Sequence, residues 1–292
     1  MTKQNTKSDT SISIMGCGYI GKLLAQRLQQ INTALNAYVC SNNSLDICKR
    51  LNITSEIVDL DKPVSNIDHR NQSVIYLVPP PPTGKVDKRI SNYLSAIKQQ
   101  NLKKLVLIST TGVYGDCNGD WVNESAPIKP VADRAYRRAD AEQQAISFCQ
   151  KNTIPLLILR VPGIYGPGKI PLRRIKSGQP IVREQDSPYT NRIHALDLVR
   201  ICEIALNTSL TGIYNVSDGH PGTMYEYFMG VAETMDLPAP PSITLEEAKQ
   251  ELSEGMLSYM AESRRIDNKK LLKDFSLVLK YPDLQAGLQN IK

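Results

Sequence analysis

The first half of the chain alternates short apolar runs with stretches of helical spacing. The apolar runs are SISIMG at 11–16, ALNAYVC at 34–40, SEIVDL at 55–60, SVIYLV at 73–78, KLVLIST at 104–110 and PLLILRV at 155–161. Between them, apolar positions three and four residues apart predict helices, which we place at 19–30, 88–100 and 132–151. Strands that are apolar on both faces and alternate with helices are typical of a parallel sheet covered on both sides. The pattern therefore predicts an α/β fold with a doubly wound parallel sheet.

The alternation breaks after Arg160, where the sequence VPGIYGPGK is rich in Gly and Pro. Further on, RIHALDLVRICEIA and GIYNVSD have the character of one more helix and strand of the main sheet. We therefore predict a first domain at 11–166, completed by about 191–218. A smaller C-terminal substrate lobe would be formed by 167–190 and 219–292, and residues 1–10 would be a disordered tail.

Charge and composition exclude two classes of partner. Lys and Arg outnumber Asp and Glu by 35 to 29, a net charge of +6 that is spread along the chain. With three Phe and one Trp, the chain lacks the basic stripe and aromatic platform of nucleic-acid binding. No run of about 18 apolar residues could span a bilayer. We expect a small, anionic substrate and neither a nucleic-acid nor a membrane partner.

The cysteines and the N-terminal segment indicate the compartment. The six cysteines are far apart, without the Cys-x-x-Cys or paired His spacing of metal sites, so we expect reduced thiols and no metal. The segment MTKQNTKSDT is polar and has no apolar core of a secretion signal. These features predict a cytoplasmic protein, and they leave open whether it is a monomer or a homodimer.

The sequence GCGYIG at 16–21 directly follows the first apolar run and opens the first predicted helix. Gly16 permits a tight turn, Gly18 lets the backbone approach a pyrophosphate, and Gly21 lets helix and strand pack closely. Phosphates would lie at the helix N-terminus beside Tyr19 and Ile20, where free N–H groups and the helix dipole attract negative charge. We predict a dinucleotide ligand and a sheet of the Rossmann type.

The second strand ends without the carboxylate that NAD sites usually carry about 20 residues past the glycines. Ser41 and Asn42 follow it instead and could hydrogen-bond a 2′-phosphate, which favours NADP over NAD, although Ser and Asn also form ordinary turns. Asp59 either contacts the adenine or is an ordinary residue at a strand end. The strand ends that complete the predicted cofactor site are Leu60, Val78, Pro79, Thr110, Val161 and Pro162.

Five segments occur in the order found in extended short-chain dehydrogenases/reductases. They are GCGYIG at 16–21, ISTTGVYGD at 108–116, LRVPGIYGPG at 159–168, RIHALDL at 192–198 and YNVSD at 214–218. From about Ser11 onward the chain resembles this family, and in particular its atypical, NAD-dependent epimerase/dehydratase-like members. The resemblance implies an NAD(P)-dependent oxidoreductase or epimerase that acts on a small polar or nucleotide-linked sugar substrate.

In active members of the family, a Ser or Thr hydroxyl, a Tyr and a Lys one helical turn after the Tyr act together. The Tyr is the general acid/base, and the Lys lowers its pKa. The resemblance places Thr110 at the hydroxyl position, but Tyr136 is followed four residues later by Asp140. In a second register Arg134 and Arg138 take the Tyr and Lys positions, and Arg138 could supply the lysine's charge. The catalytic candidates are therefore Thr110, Tyr136 and Arg138.

Both registers lack the Tyr-Lys pair, which leaves two interpretations open. The first is an enzyme of the atypical type. The second is a catalytically degenerate NADP(H)-binding sensor or scaffold. Thr111 and Gly112 stand where dehydratases of this group carry Asp and Glu, so the sequence does not support dehydration by a carboxylate pair.

Five positions are candidates for substrate binding. Tyr114 is a second phenol near the predicted site, and Arg134 could bind a phosphate or a carboxylate. Gly163 stands where nucleotide-sugar members carry an Asn, which argues against a diphosphate sugar. Arg173 and Arg174 lie where the family holds the phosphates of its substrates, although a basic segment is also typical of an exposed surface.

Overall fold

Residues 11–65 and 67–291 are described by the structure, a computed structural model, and the predicted tail at 1–10 lies outside them. The strands are β1 (Ile12–Met15), β2 (Leu35–Val39), β3 (Ser55–Ile57), β4 (Ser73–Tyr76), β5 (Lys104–Thr110), β6 (Trp121–Val122), β7 (Leu156–Val161), β8 (Gly163–Tyr165), β9 (Ile181–Val182), β10 (Tyr189–Thr190), β11 (Arg192–His194), β12 (Gly212–Asn215), β13 (Gly222–Thr223), β14 (Ser242–Ile243) and β15 (Arg265–Ile266). The helices are α1 (Tyr19–Gln30), α2 (Asn42–Arg50), α3 (Lys88–Ala96), α4 (Asp133–Asn152), α5 (Leu172–Lys176), α6 (Ala195–Asn207), α7 (Met224–Thr234), α8 (Leu245–Glu251), α9 (Glu254–Met260), α10 (Lys269–Asp274) and α11 (Leu284–Gln289).

The central sheet of the described residues has seven strands in the order β12-β7-β5-β4-β1-β2-β3. β1 is parallel to both of its neighbours, with Ile12 paired to Leu35 on one side and to Ser73 on the other. The pairs β2–β3 and β4–β5 are parallel as well. Every residue of β1 and β4 is buried, as expected for a sheet covered on both faces. This confirms the predicted α/β class with a Rossmann-type, doubly wound sheet.

The strand order reverses at β1. From β1 the chain moves outward to β2 and β3, then returns to the other side of β1 with β4 and continues to β5. In open parallel sheets, ligands bind in the crevice at the carboxyl ends of the strands where such a reversal occurs. β1 ends at Met15, so the glycine segment at 16–21 begins at this point.

Helix α1 begins and ends where the sequence predicts. Its apolar positions recur at helical spacing, and Ile20, Leu24 and Leu28 are buried against the sheet. Burial of each such side chain contributes about 1.5–3 kcal/mol to folding. The segment 16–21 is therefore held between a buried strand and a helix anchored by its own apolar face.

Helix α2 is an element that the sequence analysis did not predict, because its first residues have the composition of a turn. The Oγ atom of Ser41 accepts a hydrogen bond from the Ser44 amide at 3.3 Å and caps the helix. An N-terminal hydroxyl cap satisfies an amide that the first helical turn would otherwise leave without a partner. At the next helix the prediction was too long, since α3 ends at Ala96 and not at Gln100.

The described residues divide into two compact units. The first contains the described residues up to Ser109, together with Tyr136–Leu159 and Leu198–Ile213. Its apolar core includes Tyr76, Ile90, Tyr93, Leu105 and Ala145. The second unit contains Thr110–Ala135, Arg160–Asp197 and the described residues from Tyr214 onward. The domain boundaries that the sequence suggested remain a prediction.

The second unit is built from short strand pairs and helices. β8 and β11 are parallel, with Gly163 opposite Arg192, and β10 and β13 are antiparallel. Thr223 and Glu226 form a reciprocal capping box at the start of α7. The core of this unit includes Tyr165, Tyr227, Phe228, Val231 and Leu288.

Three structural findings concern membranes, disulfides and metals. No helix within the described ranges has both the length and the apolar character needed to span a bilayer. The six cysteines carry free thiols. Over the same described ranges, no group of three or more His, Cys, Asp or Glu side chains is arranged to hold a metal ion.

Candidate functional site

The glycine loop joins β1 to α1 and is packed closely on one side. Gly16 has a φ of +91°, and a Cβ atom at this position would lie 2.8 Å from the amide nitrogen of Val78. A Cβ atom on Gly21 would lie 2.9 Å from the carbonyl oxygen of Gly16. Only glycine fits either position, because the neighbouring atoms belong to the backbone and cannot move aside. The structure therefore brings Gly16, Gly21 and the predicted cofactor residue Val78 together.

Gly18 differs from the other two glycines of the loop. A Cβ atom added to Gly18 would have no described atom within 4 Å, so crowding by the rest of the chain does not require glycine here. Its φ of −78° combined with a ψ of −144° lies outside the main regions of other residues, so a side chain at this position carries a backbone cost. The open space lies at the start of α1, whose N-terminus no side chain caps. Uncapped amides and the positive end of the helix dipole make this space suitable for an anion such as a pyrophosphate.

The second residue of the loop, Cys17, is buried, and its thiol is hydrogen-bonded to that of Cys48. Burial, with a smaller contribution from Cys48, raises the pKa of Cys17 to about 12. A thiol with so high a pKa is protonated and unreactive at neutral pH. Cys17 therefore serves as packing beneath the loop.

The residues predicted to hold the adenosine end lie after β2 and β3. Ser41 uses its hydroxyl to cap α2 and also donates a hydrogen bond to the Ser44 hydroxyl at 3.0 Å. Asn42 is exposed in the first turn of α2. Asp59 is exposed and accepts a hydrogen bond from the Asp61 amide, whereas Leu60 is buried. Asn42 and Asp59 therefore keep polar atoms accessible at these strand ends.

Arg138 reaches the strand end beside the glycine loop. Its Nη1 atom donates a hydrogen bond of 3.1 Å to the carbonyl oxygen of Val78, the residue whose amide lies against Gly16. Burial lowers the pKa of Arg138, and the nearby Asp87 and Tyr76 oppose this effect. Arginine stays protonated despite such shifts, so a positive charge is fixed beside the loop.

Tyr136 lies on the same helix as Arg138 and is partly exposed. The Nζ atom of Lys85 lies over its ring, 4.6 Å from the centroid, in a cation–π contact. The Oδ2 atom of Asp140 accepts hydrogen bonds from the Asp87 amide and from Gln144. The cation nearest to this tyrosine ring therefore comes from a loop and not from the following helical turn.

Thr110 and Tyr114 belong to the second unit. The Oγ1 atom of Thr110 accepts a hydrogen bond from the Gly112 amide, which leaves its hydroxyl hydrogen free to donate. Tyr114 is 1% exposed; its hydroxyl donates a hydrogen bond of 2.7 Å to Asn215, and its ring lies beside Arg160. Burial raises the pKa of Tyr114. These contacts give Tyr114 the character of a structural residue.

Arg134 is bound to the segment around α9. Its Nη1 atom donates to the Ser258 hydroxyl at 2.5 Å, and its guanidinium lies over the ring of Tyr259. The carboxylate of Glu262, which is 4% exposed, lies 3.8 Å away and is also paired with Arg264. Much of the charge of Arg134 is therefore already engaged within the second unit.

Arg192 is a candidate that the sequence analysis missed. It lies opposite Gly163 in the β8–β11 pair, and a Cβ atom on Gly163 would be 3.3 Å from its Nη1 atom. The predicted residue Gly163 thus leaves room for the Arg192 guanidinium. The pairing register of β8 and β11 brings Arg192 and Gly163 together. Their spacing along the sequence does not indicate this contact.

The remaining predicted residues have less specific surroundings. Arg173 is exposed, whereas Arg174 donates a hydrogen bond to the carbonyl oxygen of Pro180 and lies over the ring of Phe228. Val161 is buried at the end of β7, and Pro162 is partly buried. The carbonyl oxygen of Pro79 accepts a hydrogen bond from Arg89.

Asp218 is a buried carboxyl group near Arg192. Its Oδ1 atom accepts a hydrogen bond from the His220 amide, while Oδ2 is buried without a partner among the described residues. Burial raises the pKa of Asp218 to about 7, and His220 and Arg192 act in the opposite direction. At neutral pH this group is therefore close to half-protonated.

The substitution Asp218→Asn should change how stability depends on pH. Because the pKa of about 7 in the folded chain lies above the value of 3.8 for an unperturbed Asp, the folded state binds more protons between these values. The free energy of unfolding of the wild type therefore falls as pH rises through this window, by at most roughly 4 kcal/mol. We expect the variant to gain stability relative to wild type between about pH 4 and pH 8. Urea unfolding at several pH values in this range measures the free energy of unfolding of both chains. If this free energy varied with pH in the same way in the variant and in wild type, the raised pKa of Asp218 would be contradicted.

The sheet, its reversal at β1 and the glycine loop define the chain as a Rossmann-type α/β protein. Residues 90–217 match the model of the NAD dependent epimerase/dehydratase family. Over these residues the match confirms the resemblance to NAD-dependent epimerase/dehydratase-like proteins.

Individual proteins are similar to this chain in sequence or in structure. The dTDP-D-glucose 4,6-dehydratase of Mus musculus is 30% identical over 78 residues, which span 27% of this chain and 22% of that relative. A protein of unknown function from Silicibacter pomeroyi has a similar structure, with a TM-score of 0.82 at 25% identity over 97% of this chain and 98% of its own. The UDP-glucose 4-epimerase of Thermus thermophilus, solved with NAD, has a TM-score of 0.73 at 20% identity, and the match covers 96% of this chain and 97% of that one.

Proposed function

We propose that this chain is an NAD(P)-dependent oxidoreductase or epimerase of the atypical extended short-chain dehydrogenase/reductase type. Its substrate would be a small polar molecule, either anionic or a nucleotide-linked sugar. The observation that carries the proposal is the open space at Gly18. Gly16 and Gly21 are glycines because the backbone around them is crowded, but the space at Gly18 serves no packing contact of the described chain.

The cofactor site would be completed by the residues around the loop. The amides of Tyr19 and Ile20 at the start of α1 would face the pyrophosphate. Asn42 and Asp59 would contact the ribose and adenine, and the absence of a carboxylate directly after β2 supports NADP over NAD. The free thiols support the expected cytoplasmic location.

Each catalytic candidate would have a limited role. A bound nicotinamide supplies the hydride acceptor or donor. Arg138 would hold a ribose hydroxyl or stabilise negative charge, because a guanidinium does not release its proton. Thr110 would donate a hydrogen bond to the substrate oxygen, and the phenol oxygen of Tyr136 would hold or release the proton.

A second function is favoured by one feature of α4. Neither Tyr136 nor Arg134 is followed one turn later by Lys, and Asp140 is engaged with Asp87. Without the Tyr-Lys pair, the chain would lose the rate enhancement of roughly 10² to 10⁴ that general acid/base catalysis supplies. The chain would then be an NADP(H)-binding sensor or scaffold that catalyses no reaction.

Fluorescence titration with NADH and NADPH, followed by a substrate panel, separates the two functions. The panel contains UDP-glucose, dTDP-glucose and simple ketones and alcohols, with product formation measured by chromatography and by nicotinamide absorbance. We expect binding of a reduced dinucleotide and turnover of at least one panel member. Binding with no turnover would favour the sensor, and no binding at millimolar dinucleotide would contradict both functions.

A further inference from the structure

Arg192 is held firmly within the second unit by contacts that leave part of its guanidinium unused. Its guanidinium carbon, Cζ, lies over the ring of Tyr227, 3.8 Å from the ring centroid. Its Nη2 atom donates a hydrogen bond of 3.1 Å to the Thr190 hydroxyl and lies 3.7 Å from the sulfur of Met224. Its Nε and Nη1 atoms donate no hydrogen bond to the described residues. The side chain is therefore held in place while its Nε–H and Nη1–H groups remain available to a ligand.

The charge of Arg192 lacks a close counter-ion within the described chain. Burial lowers its pKa, while Asp218 and Glu226 interact with it only at longer range and form no ion pair with it. Glu226 is already engaged in the capping box with Thr223, and Asp218 is half-protonated near pH 7. A partly buried guanidinium without a paired anion is costly, so its surroundings favour an anionic ligand.

Gly163 keeps the space beside these donors open. A side chain at 163 would meet the Nη1 atom of Arg192 and the carbonyl oxygen of Asn191, both 3.3 Å from an added Cβ atom. The φ of Gly163 is not in the left-handed region, so its backbone does not demand glycine. Unlike Gly18, Gly163 is therefore small because its neighbours lie close, and a side chain here would press on the Arg192 guanidinium and on the Asn191 carbonyl oxygen.

The single guanidinium favours a ligand with one planar anionic group. Arg192 contributes one positive charge, and neither Asp218 nor Glu226 forms an ion pair with it. A planar carboxylate matches one guanidinium through two parallel hydrogen bonds, whereas a diphosphate would bring two or more negative charges to one cation. We propose that Arg192 binds the carboxylate of the substrate, so that the substrate class is the sugar acids and other small hydroxy acids. This inference rests on the proposed function and narrows its substrate.

The test compares matched pairs of small ligands on the whole chain. D-glucuronate is paired with D-glucose, D-gluconate with sorbitol, and D-glucose 6-phosphate serves as the phosphate probe, with binding measured by calorimetry in the presence and absence of NADH. We expect at least one carboxylate to bind more tightly than its neutral partner. Arg192→Met should weaken that binding about 10- to 100-fold, and Arg192→Lys should weaken it less.

Arg265→Met is the matched control. Arg265 also lies over aromatic rings of the second unit, those of Trp121 and Tyr189, but its Nε atom donates to the carbonyl oxygen of Gly119. We expect this variant to bind the carboxylate like wild type. Three results would overturn the inference: no carboxylate binds, Arg192→Met binds it unchanged, or only the phosphate probe depends on Arg192. A chain that binds NADH but no carboxylate refutes this inference alone, and a chain that binds a carboxylate but no NADH refutes the proposed function.

Discussion

Replacing Gly18 by Ala is expected to weaken NADH binding about 100-fold, while the chain still folds with a modest loss of stability from the backbone angles at this position. The new methyl group would enter the space that we assign to the pyrophosphate, and no described atom lies within 4 Å of it. Loss of two hydrogen bonds to a charged group costs about 3 kcal/mol, which corresponds to roughly 100-fold in affinity. Fluorescence titration measures the affinity, and urea unfolding measures the stability.

Two other glycines provide controls for Gly18→Ala. Gly255→Ala lies in α9, where the nearest described atom is 4.0 Å from the added Cβ atom; it should leave affinity unchanged and leave stability unchanged or slightly raised, because Ala is the better helix former. Gly16→Ala should unfold at lower urea than wild type, because its Cβ atom would meet the Val78 amide and its φ of +91° is strained for alanine. Normal NADH affinity in Gly18→Ala would contradict the assignment of this space.

Arg138→Met is expected to lower kcat/KM about 100-fold on the substrate that the panel identifies. Methionine fills a similar volume but removes the fixed charge beside Val78, and loss of one preorganised electrostatic contact typically costs about 10² to 10³ in rate. Arg138→Lys retains the charge and should recover most of the activity. Steady-state kinetics, together with NADH titration, measures the effect.

The matched control for Arg138 is its neighbour Arg137. Arg137 is buried, and its Nη1 atom donates to the carbonyl oxygen of Gly84 and not to Val78. Arg137→Met should lower stability but leave kcat/KM of the folded enzyme within a few-fold of wild type. Equal losses of kcat/KM in the two variants would show that the effect of Arg138 is structural.

The sequence predicts the fold correctly where the local spacing of apolar residues matches the residues that are buried in the structure. The bounds of α1 follow from the spacing of Ile20, Leu24 and Leu28, and the apolar runs mark the buried strands of the sheet. Helix α2 was missed because Ser41 and the residues after it have turn-like composition. The hydroxyl cap that begins the helix joins residues only three positions apart, so a Ser before the helix was a local signal that the turn-like composition obscured.

The candidate site was predictable only in part. The glycine spacing indicates the loop, and the structure shows why Gly16 and Gly21 are required there. The contact of Arg138 with Val78 joins residues 60 positions apart, and Arg192 meets Gly163 only through strand register. Such contacts depend on tertiary packing, which spacing along one sequence does not encode.

A crystal structure of the chain with NADH tests the central claim most directly. We expect the pyrophosphate to lie against the backbone of Gly18, within hydrogen-bond distance of the amides that begin α1. A well-occupied dinucleotide whose pyrophosphate lies away from this loop, or crystals that take up none at millimolar NADH, would contradict it.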